Sequence, residues 1–439
     1  PNYGVFDEQR YFTPGSEATI FNINGVKTAI NICEDIWSDK GPIKYQRESG
    51  SKLLININAS PYHRGKREER ETLLCKKASE NNLAIAYVNL VGGQDELVFD
   101  GTSVIVSPEG EVLARASQFS EDNLVFDISL EEDRNTKKCK VSNFNLEKYS
   151  KTKNKEPMDD LEEVYAALVT GTKDYVKKSG FEKVIVAISG GIDSALVATI
   201  AVDALGSENV VGLSMPSRYS SEGSVTDSEL LAKNLGIDLL KTSIEPVFSE
   251  YLATLKGLFK KAKPNIAEEN LQSRTRGTLV MAMSNKFGWL TLTTGNKSEY
   301  ATGYATLYGD MAGGFAVIKD VPKTLVYKLC NYRNTVNKAI PIEIIQKPPS
   351  AELKPNQLDE DSLPPYDQLD EILKSYVEDD KTYKEIIADS HDKEVVRKVI
   401  NLVDSSEHKR RQTPPGVKIT ERNFGRDRRM PIVNRYKAY

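Results

Sequence analysis

Cysteine is scarce and scattered: four in 439 residues, at positions 33, 75, 139 and 330, with no CxxC pair among them. That leaves neither a zinc-ligand spacing nor a disulfide framework, and all four are expected to be free thiols. Long apolar runs are missing as well. No stretch approaches the roughly 18 residues needed to cross a bilayer, and residues 1–10 lack the basic-then-apolar order of a secretory signal, so a cytoplasmic protein with no membrane partner is expected. Nor is there a surplus of positive charge. A net charge of −4 argues against a nucleic-acid partner and leaves only local clusters, such as residues 408–411, for a phosphate. No internal repeat is found, and the chain opens on Pro1 rather than methionine, as a processed product or a piece of something longer would.

What is present divides in two. An apolar share of 39% and a charged share of 28% over 439 residues describe a globular chain too long for one ordinary core. Residues 1–135 read as an α/β segment rich in strand, with strands over 27–32, 53–58, 84–88, 97–107 and 111–115 and one helix among them. Over 136–157 apolar residues thin out and lysines crowd, the composition of a linker. Residues 158–439 open on a helix, with Leu161, Val164, Tyr165, Leu168, Val169 and Val176 at helical spacing and Gly180 placed to cap it. Strands over 184–188, 210–215 and 239–243 then alternate with helices over 195–205 and 224–235. Such alternation predicts a doubly wound parallel sheet covered by helices on both faces.

Between the strand at 184–188 and the helix expected from Ala195 stands Ser189-Gly190-Gly191-Ile192-Asp193-Ser194. Two glycines let the backbone approach an anion, two hydroxyls can donate to phosphate oxygens, and a helix N-terminus adds unpaired N–H groups. Asp193 would repel a phosphate unless a divalent cation lay between them, which makes it a magnesium ligand on this reading. The plainer alternative is a tight turn with serine caps. Downstream, Thr294 to Glu299 follow a strand expected over 289–293. Glu299 can join Asp193 on the metal and Thr294 can donate to a nucleotide, or the stretch simply starts a helix. Another helix is expected to begin at Glu269; its Arg274 and Arg276, two apart, cannot face the same way. Either can meet a ligand phosphate or face solvent. Ser350 and the basic residues 408–411 carry little meaning alone.

The 189–194 loop lacks the Gly-Lys-Ser ending of a Walker A motif and resembles the SGGxDS loop of the ATP pyrophosphatases, which release pyrophosphate after passing AMP to a carboxylate or similar oxygen. With ENLQSRTR at 269–276, TTGNKSE at 293–299, YGD at 308–310, SAEL at 350–353 and EHKRR at 407–411, nearly all of 157–439 resembles the NAD synthetases, specifically their glutamine-using branch. The resemblance implies an adenine nucleotide alpha hydrolase-like α/β domain that amidates deamido-NAD. By it, Ser189, Gly190, Gly191, Asp193 and Ser194 hold ATP phosphates, Thr294, Lys323 and Ser350 contact ATP, and Asp193 and Glu299 hold Mg2+. Arg274, Arg276, Asp310, His408 and Lys409 would contact deamido-NAD.

In the first half an apolar strand ends on Cys33, followed by Glu34-Asp35-Ile36-Trp37. A thiolate at a strand end, with the Glu34 N–H nearby for an oxyanion, suits attack on an amide carbonyl, although a lone cysteine is more often a buried structural thiol. The surrounding text, Asn2-Tyr3-Gly4, Asn58-Ala59-Ser60-Pro61 and residues 92–101, resembles the nitrilase-like glutaminase domain of the same enzymes, an α/β sandwich with a Glu, Lys, Cys triad. That resemblance makes Cys33 the nucleophile and places Tyr3, Ser60 and Lys66 where glutamine is held. A Cys, His, Glu glutaminase is disfavoured because His63 is the only histidine of the first half. The family's glutamate and lysine would precede Pro1, so the sandwich is expected to be incomplete and the chain to use ammonia rather than glutamine. Implied substrates are deamido-NAD, ATP, and glutamine or ammonia, in a homo-oligomer with a shielded ammonia channel. The rivals are an ATP pyrophosphatase with another acceptor and a binding subunit without turnover.

Overall fold

The computed structural model describes residues 7–15, 17, 19–130, 154–260, 262–433, 435 and 437. Tyr3, Cys139 and most of the expected linker lie outside the described residues. Cys33, Cys75 and Cys330 are free thiols. The chain divides into two compact units, residues 1–92 with 97–163 and residues 93–96 with 164–439.

Residues 20–115 carry β1 (Ile20–Ile23), β2 (Val26–Ile32), β3 (Leu53–Asn58), β4 (Ala84–Asn89), β5 (Val91–Gln94), β6 (Leu97–Asp100), β7 (Val104–Val106) and β8 (Val112–Arg115). Six strands form one mixed sheet in the order β1-β2-β3-β4-β7-β8, while β5 and β6 pair as a hairpin. Within the sheet β2, β3 and β4 run parallel and the outer pairs antiparallel. The single strand expected over 97–107 is two, because Gly101 and Thr102 both take positive φ, 67° and 51°, and interrupt the pleat. Two helices replace the one expected: α1 (Ile43–Glu48) and α2 (Lys66–Asn81). A six-residue helix is too short to show a periodic apolar stripe, which is why α1 escapes sequence reading. Leu74 and Ala78 of α2 pack on Leu54, Ile85, Tyr87, Val104 and Val106 of the sheet. The fully buried Arg70 of α2 pairs with both carboxylate oxygens of Asp100, at 3.0 and 2.9 Å.

Past α3 (Asp160–Lys178), whose end is marked by Gly180 at φ 81°, strands and helices alternate. They are β9 (Val184–Ala187), α4 (Ile192–Leu205), β10 (Val210–Ser214), α5 (Glu222–Leu235), β11 (Asp238–Lys241), α6 (Glu245–Phe259), α7 (Ile266–Phe287), β12 (Leu290–Thr293), α8 (Lys297–Thr302) and β13 (Phe315–Ala316). All five strands are parallel, in the order β11-β10-β9-β12-β13. Ile185 and Leu213 meet Val280 of α7 on one face; strand alternation turns Val184 and Val186 to the other. The chain leaves β9 toward β10 on one side and returns as β12 on the other. Such a switch point opens a crevice at the C-terminal strand ends.

Three helix starts differ from expectation; α5 begins at Glu222, two residues early, behind the cap Ser221. α4 begins at Ile192, so Asp193 and Ser194 occupy its first turn; Gly191 caps it without a side chain, leaving no cap residue to read. α7 begins at Ile266 behind Asn265, whose capping box with Glu268 lies upstream of Glu269. Beyond α9 (Lys323–Val336) and α10 (Ile342–Gln346) come α11 (Tyr366–Leu373), α12 (Tyr383–Ala388), α13 (Lys393–Ser405) and α14 (Glu407–Arg410). Leu369, Ile372, Val396, Val399, Ile400 and Val403 form a separate helical core that reaches Ala301 of α8.

Candidate active site

The crevice at the switch point is a cavity of about 390 Å³. Residues 189–194 form one wall. Gly190 turns at φ 79°, and a Cβ there would lie 2.3 Å from the Ser224 carbonyl oxygen, so no larger residue fits without moving backbone. The Ser189 and Ser194 hydroxyls lie 3.2 Å apart, and the Gly191 N–H donates to Ser189 Oγ at 3.2 Å. No side chain caps α4, which leaves its first N–H groups available to an anion.

Asp193 stands in that first turn and joins the loop after β12. Its Oδ1 accepts from Asn296 Nδ2 at 2.9 Å, and its Oδ2 accepts from Lys323 Nζ. Asn296 also caps α8, accepting from the Glu299 N–H at 3.0 Å, while Glu299 accepts back from the Asn296 N–H at 3.2 Å. Lys323 Nζ is 4.0 Å from Glu299 Oε1. Burial, with Asp193 close by, pushes the Glu299 carboxyl well above the usual carboxylate range. Burial also works against the charge of Lys323, but Asp193 and Glu299 outweigh it and hold the ammonium above its ordinary value. Asp370 sets the start of α9: it accepts from the Thr324 N–H at 2.8 Å and from Ser298 Oγ, which in turn accepts from the Lys323 N–H at 2.9 Å.

Of the residues expected here, Ser189, Gly190, Gly191, Asp193, Ser194, Arg276, Thr294, Glu299, Asp310, Lys323, Ser350 and Lys409 line the cavity. Arg274 and His408 are exposed and outside its lining. Arg274 Nε donates to the Leu307 carbonyl at 3.1 Å and His408 Nδ1 lies 3.1 Å from the Ser405 carbonyl. Arg276, turned inward, donates to the Met215 carbonyl at 3.0 Å. Asp310 Oδ1 accepts from the Thr306 N–H at 2.7 Å, and Lys409 Nζ donates to the carbonyls of Gly303 and Ala305 at 2.6 and 2.7 Å. Ser350 Oγ donates to the Gln357 carbonyl at 2.5 Å.

In the first unit Cys33 follows β2 directly at φ 45°, a left-handed conformation uncommon for a residue with a Cβ. Burial raises its thiol pKa, and the backbone N–H groups of Ala59 and Glu34 at the sulfur partly offset that. Beneath it lies a chain of buried amides: Asn56 Nδ2 donates to Asn31 Oδ1 at 2.6 Å and to the Cys33 carbonyl at 3.4 Å, and Asn58 Nδ2 donates to Asn56 Oδ1 at 2.5 Å. Ser60 is buried, its N–H bonded to Asn89 Oδ1 at 2.9 Å. Lys66 Nζ sits 3.9 Å over the Trp37 ring and 3.0 Å from Glu69 Oε2.

The NAD synthase profile matches residues 164–413 and the carbon-nitrogen hydrolase profile matches residues 1–138. A glutamine-dependent NAD(+) synthetase of Thermotoga maritima is 49% identical over the whole of this chain and 80% of its own length. The chain belongs to the glutamine-dependent NAD synthetases. A solved member, from Acinetobacter baumannii in complex with ADP, is 44% identical with a TM-score of 0.71, covering all of this chain and 78% of that one. The NMN synthetase of Francisella tularensis is 26% identical with a TM-score of 0.50 and covers 58% of this chain and 97% of its own.

For a glutamine-dependent NAD synthetase, the described residues hold no group of three or more His, Cys, Asp or Glu side chains able to bind a metal. The two carboxylates of Asp193 and Glu299 beside a glycine- and serine-rich helix start nevertheless fit Mg2+, which commonly takes one or two carboxylates and fills its remaining positions with phosphate and water. Sequence reading missed Lys347, Asp370 and the amide chain under Cys33. Asn56 and Asn58 had a signal: both fall on the inward positions of an otherwise apolar strand.

Proposed function

We propose that this chain makes NAD from deamido-NAD: ATP adenylates the nicotinate carboxylate, pyrophosphate leaves, and ammonia attacks the acyl adenylate to release AMP. One observation carries the reading. Asp193 and Glu299, in the first turns of α4 and α8, the helices that follow the neighbouring strands β9 and β12, meet around Lys323 beside the glycine-capped start of α4. In this assignment the first N–H groups of α4 and the hydroxyls of Ser189 and Ser194 bind the phosphates, and Lys323 offsets charge growing on the pyrophosphate. Mg2+, placed on Asp193 and Glu299, would screen the phosphates and favour departure of pyrophosphate when bound. Thr294 and Ser350 face the nucleotide, and Arg276, Asp310 and Lys409 face deamido-NAD. The chemistry needs positioning and charge neutralisation, and no covalent nucleophile in the second unit.

Glutamine is the nitrogen donor at Cys33, whose sulfur adds to the amide carbon so that ammonia departs and water then releases glutamate. Free ammonia is usable in its place. We assign residues 1–135 to the glutaminase domain, 136–157 to a linker and 158–439 to the synthetase domain. We also assign a cytoplasmic homo-oligomer; none of the described helices is long and apolar enough to cross a membrane, and a shielded route for ammonia favours assembly.

The test supplies deamido-NAD, ATP, magnesium and ammonium and follows NAD, AMP and pyrophosphate. Equal amounts of the three products are expected. Faster amidation of the mononucleotide analogue of deamido-NAD would move the chain to another acceptor, and phosphate with ADP in place of AMP with pyrophosphate would end the reading.

A further inference from the structure

Lys347 follows α10 and belongs to none of the roles assigned above. Its ammonium donates to the Gly190 carbonyl oxygen at 3.3 Å, to Ser224 Oγ at 3.3 Å and to the Asp227 carboxylate. Ser224 and Asp227, both buried, lie in the first two turns of α5, against which Gly190 is pressed. A trans peptide points its C=O and its following N–H in opposite directions. A cation on the Gly190 oxygen therefore also fixes where the Gly191 N–H points, and that N–H donates to Ser189 Oγ beside the cavity. Two consecutive glycines offer little resistance of their own to a peptide flip. The start of α5, on which Gly190 packs, is itself held: Glu352 accepts from Ser221 Oγ at 3.0 Å and from Ser224 Oγ at 2.7 Å.

We propose that Lys347 is a positioning residue for the nucleotide: held by Asp227, it keeps the Gly190–Gly191 peptide in the orientation that receives phosphate. The inference rests on the reading of residues 189–194 as the phosphate cradle. It differs from direct phosphate binding by Lys347 in one respect. If Asp227 holds the lysine on Gly190, weakening the pair harms ATP use; if Asp227 merely competes with phosphate for the lysine, weakening the pair helps it.

The experiment measures kcat and the KM values for ATP and deamido-NAD in ammonium-driven NAD formation by the full chain and its variants. Lys347→Met is expected to raise KM for ATP by about tenfold or more, from the loss of a charged hydrogen bond, with KM for deamido-NAD within about twofold. Lys347→Arg should recover part of the loss, and Asp227→Asn should raise KM for ATP about threefold or more. An unchanged KM for ATP in Lys347→Met, or a lower one in Asp227→Asn, would overturn the proposal; should Lys347→Met not fold, Asp227→Asn decides alone. A wild-type chain whose NAD formation does not depend on ATP would instead remove the cradle reading beneath it.

Discussion

Replacing Asp193 by asparagine removes one charge at constant volume from the point where the starts of α4, α8 and α9 meet. The Lys323 side chain is 3% exposed and that of Asp193 18%, so the pair behaves as largely buried. Removing one partner of such a pair costs about 3–5 kcal/mol when the survivor is left uncompensated. Here it is not. Glu299 Oε1 stands 4.0 Å from Lys323 Nζ, and asparagine keeps a carbonyl oxygen for Asn296, so a stability loss of about 2 kcal/mol is expected. Catalysis should suffer more, because a neutral amide neither binds Mg2+ well nor balances Lys323; a fall in kcat of about 100-fold or more is expected. Wild-type stability should fall as pH rises from the ordinary glutamate value to the raised value of Glu299, because there the folded state keeps a proton the unfolded chain has released. Removing Asp193 should narrow that window. Denaturant unfolding at several pH values and pyrophosphate release in the ammonium reaction read these effects. Turnover within about threefold of wild type would remove Asp193 from the metal site.

Gly190→Ala must adopt φ 79° with its Cβ 2.3 Å from a backbone oxygen; about 1–2 kcal/mol of conformational strain plus a displaced loop should abolish saturable ATP use while the fold survives, and a normal ATP titration would contradict this. Cys33→Ala should leave ammonium-driven NAD formation within about twofold and remove any glutamine-driven formation; loss of both would end the division of labour. Arg70→Ala should lower stability by about 3–5 kcal/mol by stranding Asp100, and the apolar double variant Arg70→Met with Asp100→Leu should recover most of it in the same unfolding assay.

Much of the architecture was legible because its signals are local. Strands β2 to β4 are mostly apolar runs of ordinary length, and Asp193 stands out as an acid in a glycine- and serine-rich turn. The geometry of Arg274 and Arg276 was also legible as a constraint: two residues apart, they diverge, and only the fold shows that Arg276 is the one turned inward. Lys347 carried no such signal. A single lysine between a short helix and two prolines acquires meaning only from a carbonyl 157 residues earlier. Lys297 illustrates the opposite case, since it sits inside TTGNKSE yet faces away from the cavity. Its ammonium is buried against Asp320 at 2.9 Å, Glu378 at 2.6 Å and Thr420 at 2.9 Å.

The parallel pairing of β9 with β12 also sets when the site can exist. Asp193 meets Asn296 across 103 residues and Lys323 across 130, and closing loops of that size precedes any reward from the contacts they allow. Synthesis releases α4 with its glycine turn well before the strand that completes the site. A nascent chain ending near α5 therefore presents the helix start without a side-chain cap, and without the lysine and second carboxylate that meet Asp193 there. Nucleotide binding should thus appear late in refolding, following docking of the central strands and not the formation of helix, and a pulse of ATP analogue early in refolding should find no competent site.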